Sequence, residues 1–588
     1  MADRFVRTLP FGAMTLGDGQ VRFRLWAPRQ PAVAVVLEND RVLPMRRADG
    51  GWFETTATCA AGSRYRYRLA DGTEVPDPAA RAQADDVHGP SVVVDPRAYR
   101  WRNPGWTGRP WRETVLYELH VGILGGFAGV AREFSRLADL GITAVELMPV
   151  NDFPGRRNWG YDGVLPYAPD AAYGSPTDLK ALVDAAHDFG LTIFLDVVYN
   201  HFGPDGNYLG SYAADMFRED MHTPWGAAID FRRPEVREFF TENALYWLME
   251  YRFDGLRLDA VHAICEPGWL DEMAAKVRAT VEPGRHVHLV LENERNATSH
   301  LSGDFDAQWN DDGHHVLHVL LTGETAGYYR DFADTTAQQL ARLLAQGFVF
   351  QGQHSPYHGH PRGEPTTGLS PTAFVLFLQN HDQVGNRALG ERLTVLADPG
   401  KLEAAIAMQL LCPQIPLIFM GEEDASRSPF LFFTDHGPDL AAVVRDGRRR
   451  EFARFPAFAD AAQRDHIPDP NDPETFQTSI PSPGPDQALR RQALYHRLLM
   501  LRHTEIMPRL DGARSLEAKV IGPAAVVARW RLGDGTVLTL AVNLGDSPVA
   551  TGPLRGRTIF ATRDVVGVAA PAGTLDACST VALLEQPS

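Results

Sequence analysis

Two periodicities divide this chain. From residue 20 to about 100, apolar and polar positions alternate in short runs, "VRFRLWAP", "AVAVVLE", "GWFETTAT" and "SRYRYRLA", separated by the turn signals "ADGG" and "ADGT". Period-two alternation cut by turns predicts a small N-terminal β-sandwich. The stretch "DPRAYRWRNPGWTGRPW" ends this pattern and marks a boundary near residue 105. Beyond it, near-continuous apolar runs alternate with amphipathic segments. The runs are "TVLYELHVG", "TAVELMPV", "TIFLDVVYNH", "GLRLDAVH", "HLVLEN", "FDAQWN", "FVLFLQNHD" and "IPLIFMGEE"; "SPTDLKALVDAAHDFG" and "PEVREFFTENALYWLMEY" have helical spacing. Eight buried strands with intervening helices predict a parallel (β/α)₈ TIM barrel of the α/β class. The sixth run, "FDAQWN", follows no well-defined helix. A final block, "AVVARWRL", "TVLTLAVNL" and "STVALLEQ", returns to short strands and predicts a C-terminal β-sandwich. The expected domains are residues 1–105, 106–504 and 505–588. A long Gly-, Pro- and aromatic-rich excursion after the third barrel strand runs from about 202 to 233, and loops of that length usually serve a site.

Composition narrows the class. Among 588 residues, 44% hydrophobic and 22% charged content is that of a globular protein, and a net charge of −17 disfavours nucleic acid and anionic membranes as partners. No apolar run approaches a membrane span, and "MADRFVRTLPFGAMTLGDGQ" lacks the apolar core of a signal peptide. The four cysteines, Cys59, Cys265, Cys412 and Cys578, are scattered without paired spacing. A cytoplasmic protein acting on a neutral substrate is the expectation.

The chemistry sits at the strand ends. In "FDGLRLDAVH", Leu256 and Leu258 share one face of an extended strand, and Arg257 and Asp259 the other. A charged pair on the inner face of a buried strand is costly unless paired or used. Other strands also turn polar where barrel enzymes keep their sites: the third ends in Asp196, Asn200 and His201, the fifth in Glu292, the seventh in Asn380, His381 and Asp382. Three carboxylates from three strands suit glycoside cleavage, with one as nucleophile, one as acid and one stabilising positive charge in the transition state.

"DVVYNH", "GLRLDAVH", the glutamate of "LVLENE" and "QNHD" resemble, in order, four motifs of the α-amylase superfamily. The resemblance implies Asp259 as nucleophile, Glu292 as general acid/base and Asp382 as transition-state stabiliser. It implies that Arg257, His201 and His381 line the subsite of the cleaved sugar, that Tyr161 of "NWGYDG" stacks on that sugar, and that Asp196 supports Arg257. Segments outside these motifs, among them "PGRRNWGYDGVLPYAPDAAYGSP", "HTPWGAAIDF", "DAQWNDDGHHVLHVLLTGETAGYY" and "QNHDQVGNRALGERL", resemble the maltooligosyltrehalose trehalohydrolase family. That resemblance implies hydrolysis of the α-1,4 bond next to a terminal trehalose, no cofactor, and a maltooligosyltrehalose synthase as functional partner. His262, Asp312, His315, Gln383, Asn386 and the loop around Phe432 would serve substrate binding, mostly on the leaving-group side. Two segments depart from the family pattern at the ends of barrel strands, the short "HVGILGGFAGVAREF" and Asp424 in "GEEDASRSPF".

Other signals have plainer readings. "HHVLH" has helical spacing but no accompanying general base or cysteines for zinc, and the other ligands of an amylase calcium site at Asn200 are not evident, so no metal is expected. The aspartates of "WNDD" could equally cap a helix. "GILGGFAG" reads as a flexible loop, "RDGRRREF" as a solvated helix face, and Trp225 as either a sugar platform or a loop anchor. The alternative functions are a glycogen-branching glucanotransferase, an α-glucan debranching hydrolase and a non-catalytic glucan-binding protein. "HDQVGN" disfavours the branching enzyme, which usually has Glu-Val after its "HD".

Overall fold

The computed structural model describes residues 5–562 and 573–587, so the first four residues of the N-terminal reading lie outside it. Eight parallel strands close into a barrel. They are β1 (Leu116–Leu119), β2 (Ala144–Leu147), β3 (Thr192–Val197), β4 (Gly255–Leu258), β5 (His288–Leu291), β6 (Ala307–Trp309), β7 (Phe374–Leu376) and β8 (Ile415–Phe419). All eight fall within the apolar runs, including the short β6.

Strand alternation sorts the barrel interior into layers. Leu116, Ala144, Phe194, Val290, Ala307, Val375 and Leu417 pack together as an apolar plug. Two residues along the same inward faces come Glu118, Glu146, Asp196 and, from Val290, Glu292; Arg257 stands two beyond Gly255. Gly255 is glycine because a Cβ there would lie 2.1 Å from the Phe194 ring. The plug therefore ends where a layer of charge begins, and that layer is the floor of the mouth.

The N-terminal module has the expected two sheets. One contains Gly12–Gly17, Gln20–Trp26, Arg46–Arg47 and Trp52–Thr58; the other contains Val33–Leu37, Arg41–Pro44, Arg64–Leu69, Glu74–Val75 and Ser91–Val92. It is joined to the barrel by buried charge as well as apolar contact. Arg81 of the module and Lys180 both reach Glu250, at 3.2 and 3.4 Å, and the rings of Phe11 and Phe239 meet edge to face at 5.1 Å. At the other end, Arg514–Gly522, Ala525–Arg531, Val537–Asn543, Ser579–Glu585 and Arg557–Ala561 form a five-stranded antiparallel sheet, with a separate two-stranded ribbon. This sheet docks on two barrel helices: Trp530 Nε1 donates to Leu344 O at 3.1 Å, and Thr580 Oγ1 to Ala404 O at 2.8 Å.

Three connections differ from expectation. The Gly-rich segment after β1 is a tight, half-buried turn that runs into the helix Phe127–Leu140, where a Cβ on Gly129 would stand 1.7 Å from Leu124 O, so this backbone packs on itself. The excursion after β3 contains a short helix, Leu209–Tyr212, and a hairpin, Phe217–Thr223 with Gly226–Ile229, whose tip carries Trp225. The helix bearing "RDGRRREF", Pro438–Phe452, is only in part solvated. Arg448 reaches inward to donate to Gly385 O at 2.6 Å and Arg387 O at 3.0 Å. Among the described residues, no helix is long and apolar enough to cross a membrane.

Candidate active site

The carboxyl ends of the strands surround a pocket of about 590 Å³, lined by Asp259, Glu292 and Asp382. Asp259 follows β4 directly, and its backbone N–H donates to Val197 O at 3.1 Å. Arg257 Nη1 donates to its Oδ1 at 2.6 Å, and Asn200 Nδ2 to its Oδ2 at 2.9 Å. Burial alone would push this carboxyl up. The charge of Arg257, the Asn200 bond and nearby His201 outweigh burial and hold Asp259 below the ordinary carboxylate range. Asn200 is thus a holder of Asp259.

Glu292 follows β5, and the turn after Asp259 reaches it. Ala260 adopts φ 40°, ψ 46°, a left-handed conformation unusual for a residue with a Cβ, and so aims its N–H at Glu292 Oε2, 2.6 Å away. Arg257 is farther from this carboxylate, at 3.9 Å. Burial raises Glu292 above its ordinary range, with Asp259 and Asp382 adding to the rise against Arg257 and His262. The two neighbours are driven apart, one toward the ionised and one toward the protonated form. Asp382 lies in a short helix, His381–Gly385, whose N-cap Asn380 accepts from the N–H groups of Asp382 and Gln383. Asn386 Nδ2 donates to Asp382 Oδ1 at 3.3 Å.

Arg257 and His381 lie beneath the pocket surface, which corrects the expectation that they line it; both are fully buried. Burial pulls His381 down, yet Glu118 and Asp382 lift it to about 9. Both ring nitrogens then donate, Nδ1 to Glu118 and Nε2 to the Tyr161 hydroxyl at 2.8 Å. Tyr161 in turn donates to Asp196 Oδ2 at 2.6 Å, and Arg257 Nη1 donates to the same oxygen at 2.8 Å. A chain of hydrogen bonds thus runs from β1 to the carboxylate after β4. Asp196 thus accepts from both Tyr161 and Arg257.

Tyr161, His201, His262, His315, Gln383, Asn386 and Phe432 face the pocket. Trp225 does as well, and its ring stacks on His201 at 5.2 Å and 19°. Asp312 does not. It is fully buried and accepts from Asn296 Nδ2, the N–H groups of Val349 and Phe350, and Arg362 Nη1. Asp311 faces the pocket in its place. Neither aspartate caps the helix Asp311–Thr322; its N-cap is Asn310, whose side chain makes no capping bond. One residue along a helix turns a side chain by about 100°, and "WNDD" alone does not say which aspartate faces the mouth. The histidines of "HHVLH" have separate duties: His314 binds Leu378 O and the Tyr329 hydroxyl, His318 pairs with Glu324 at 2.8 Å, and His315 faces the pocket.

Three features of the mouth escaped the sequence reading. Glu294, two residues beyond Glu292, lies between His262 at 3.6 Å and His358 at 3.2 Å. Trp309 of β6 carries the Arg257 guanidinium 4.3 Å above its ring. Glu118 and Glu146 are lone carboxyls within apolar strands, the same signal that marked Arg257 and Asp259. Asp424, one of the departures from the family pattern, is outside the pocket and accepts from Gln492 Nε2.

Comparison with known proteins gives a consistent result. A model described as "Alpha amylase, catalytic domain" matches residues 76–225, one described as "Carbohydrate-binding module 48 (Isoamylase N-terminal domain)" matches 10–96, and a domain of unknown function matches 513–581. Malto-oligosyltrehalose trehalohydrolase of Deinococcus radiodurans is 40% identical, covering 90% of each chain. Its counterpart from Saccharolobus solfataricus is 42% identical, over 75% of this chain and 80% of that one. A crystal structure of an alpha amylase candidate from Salmonella typhimurium superposes with a TM-score of 0.92 at 43% identity, covering 99% of this chain and all of the other.

The placement of Asp312 is testable. Asp312→Ala strands the buried Arg362 and two backbone N–H groups, and should cost about 3–5 kcal/mol in denaturant unfolding. Unchanged stability with lost activity would instead mark Asp312 as a substrate contact.

Proposed function

This chain belongs to the malto-oligosyltrehalose trehalohydrolase family, and from that membership we propose how its site works: as a retaining α-glycoside hydrolase that cuts the α-1,4 bond beside a terminal trehalose and releases that disaccharide. The observation that carries the mechanism is the opposed setting of two adjacent carboxyls. Asp259 is bonded to a guanidinium and an amide, whereas Glu292 receives one backbone N–H and is shifted by burial toward its acid form.

In the first step, an oxygen of Asp259 attacks the anomeric carbon as Glu292 gives its proton to the glycosidic oxygen. The C–O bond breaks, trehalose leaves with the proton, and the glucan remains esterified to Asp259. Positive charge that develops on the sugar ring is offset by Asp259 and Asp382. In the second step, Glu292, now a carboxylate, takes a proton from water. The hydroxyl oxygen attacks the same carbon, and Asp259 leaves ionised. Two inversions restore the α configuration. Tyr161 and His201 would hold the cleaved sugar, while His262, His315 and Gln383 would meet the leaving disaccharide, with Asp311 replacing Asp312 in that role.

The substrate must come from a reaction that converts a terminal α-1,4 linkage into trehalose, the work of a maltooligosyltrehalose synthase. We place the enzyme in the cytoplasm beside it.

The function is tested by competition between maltooligosyltrehalose and plain maltooligosaccharide of equal length, following free trehalose. The sugars differ only on the leaving side, where unpaired polar groups penalise the wrong substrate. Trehalose release should dominate; equal cleavage of both sugars, or formation of α-1,6 branches, contradicts the assignment. The acid is tested separately. Glu292 acts protonated and its pKa is raised, so activity should persist above the ordinary glutamate range and fall as pH rises through the shifted value. Glu292→Gln should abolish that alkaline limb and lose about 10²–10⁴-fold on natural glucan. It should lose far less on a glucosyl fluoride, whose leaving group needs little protonation. Equal losses on the two substrates would remove Glu292 from this role.

A further inference from the structure

The layer of charge beneath the nucleophile contains a residue that the mechanism above does not use. Glu146 of β2 is 1% exposed, and neither carboxyl oxygen has a hydrogen-bond partner. It points inward from the same register as Glu118 on β1, with which it is paired across the strands. The charged and titratable groups facing it are Glu118 of β1, Asp196 of β3, Arg257 of β4 and His381 after β7.

The layer and the residue just above it hold five carboxyls, Glu118, Glu146, Asp196, Glu292 and Asp259, and two cations, His381 and Arg257. Glu118 takes both His381 Nδ1 and the His381 backbone N–H. Asp259 takes Arg257 and Asn200, and Asp196 takes Tyr161 and Arg257. Glu146 takes nothing. A buried carboxylate with no donor costs several kcal/mol, so a proton in this layer settles on the carboxyl that has no donors. Asp196 also has a bare buried oxygen, Oδ1, and on the cation side Arg257 Nε and Nη2 are bare. A carboxylic acid has the single O–H donor that such an oxygen lacks.

We propose that Glu146 is a positioning residue of this centre: a neutral carboxylic acid whose hydroxyl serves the bare oxygen of Asp196, directly or across one water, and so leaves the charge of Arg257 to Asp259. Asp196 then needs less of Arg257, and the guanidinium stays where it ionises the nucleophile. The electrostatics agree. Burial, with Glu118 and Asp196 adding to it, raises Glu146 well above the ordinary range, whereas Asp196 is raised only to about 7. The role of Asp259 as nucleophile belongs to the function proposed above; the protonation of Glu146 does not depend on it.

Two measurements test this. Infrared difference spectra of resting wild-type enzyme minus Glu146→Gln at pH 7 should contain the carbonyl stretch of a protonated acid. The absence of that band overturns the proposal whatever the fate of Asp259, because no turnover is involved. In kinetics, Glu146→Gln keeps shape, neutrality and a donor, so kcat should stay within about threefold of wild type, and the acid limb of its pH profile, where Asp259 takes a proton and can no longer attack, should stay in place. Glu146→Leu removes the donor; kcat should fall by about tenfold or more, and the acid limb should move up by about half a pH unit as Arg257 is drawn toward Asp196. A tenfold loss in the glutamine variant shows that the carboxyl works ionised. A leucine variant with wild-type kcat and pH profile shows that it positions nothing. If the leucine variant does not fold, the spectrum and the glutamine variant still decide.

Discussion

The guanidinium of Arg257, fully buried over the Trp309 ring, bonds Asp259 and Asp196 at 2.6 and 2.8 Å and stops 3.9 Å short of Glu292. One charge divided this unevenly accounts for the different states of two carboxyls that share a pocket. The carboxyl bonded directly to the cation is shifted toward its ionised form; the one farther off, bound to a backbone N–H, is shifted by burial toward its acid form. An arginine suits this position because it stays charged where a buried lysine would tend to give up its proton. Its orientation is set in turn by Asp196, which Tyr161 and His381 hold from the other side.

The fold supplies this geometry through register. Strand register brings Glu118 opposite Glu146 and Asp196 opposite Arg257, so the charged layer needs no special loop to assemble. Loops and added modules work at the rim. The N-terminal module is bonded into the barrel by Arg81 and Glu250, and its partner sheet at the other end rests on helices away from the pocket. Neither supplies the carboxyls that do the chemistry. The hairpin with Trp225, the helix starting at Asp311 and Glu294 with its two histidines shape the walls of the pocket.

Much of this was legible in the chain because buried strands advertise their polar exceptions. Arg257, Asp259 and Glu292 stand out against apolar runs, and their motifs agree with a known superfamily. Glu118 and Glu146 sent the same signal, but a lone carboxyl in a strand has no neighbour in sequence to suggest its task; their meaning lies in pairing across strands. The walls were harder to read. Asp311 and Asp312 are adjacent, and only helix phase, with the Arg362 contact, decides which faces the pocket. Arg257 and His381 were expected at the surface, yet depth along a strand end depends on the side chains stacked above, here Tyr161 and Asp259. In "GILGGFAG" the glycines also permit a close backbone approach that the sequence alone does not announce.

The central claim, that Arg257 makes Asp259 the nucleophile, is tested most directly by trapping the glycosyl-enzyme. A 5-fluoro-α-glucosyl fluoride slows breakdown of the intermediate, so peptide mapping by mass spectrometry should find the sugar esterified to Asp259 and to no other residue. A label on Glu292, Asp311 or Asp382, or turnover of the fluoride through an enzyme that never carries the sugar, would contradict the account.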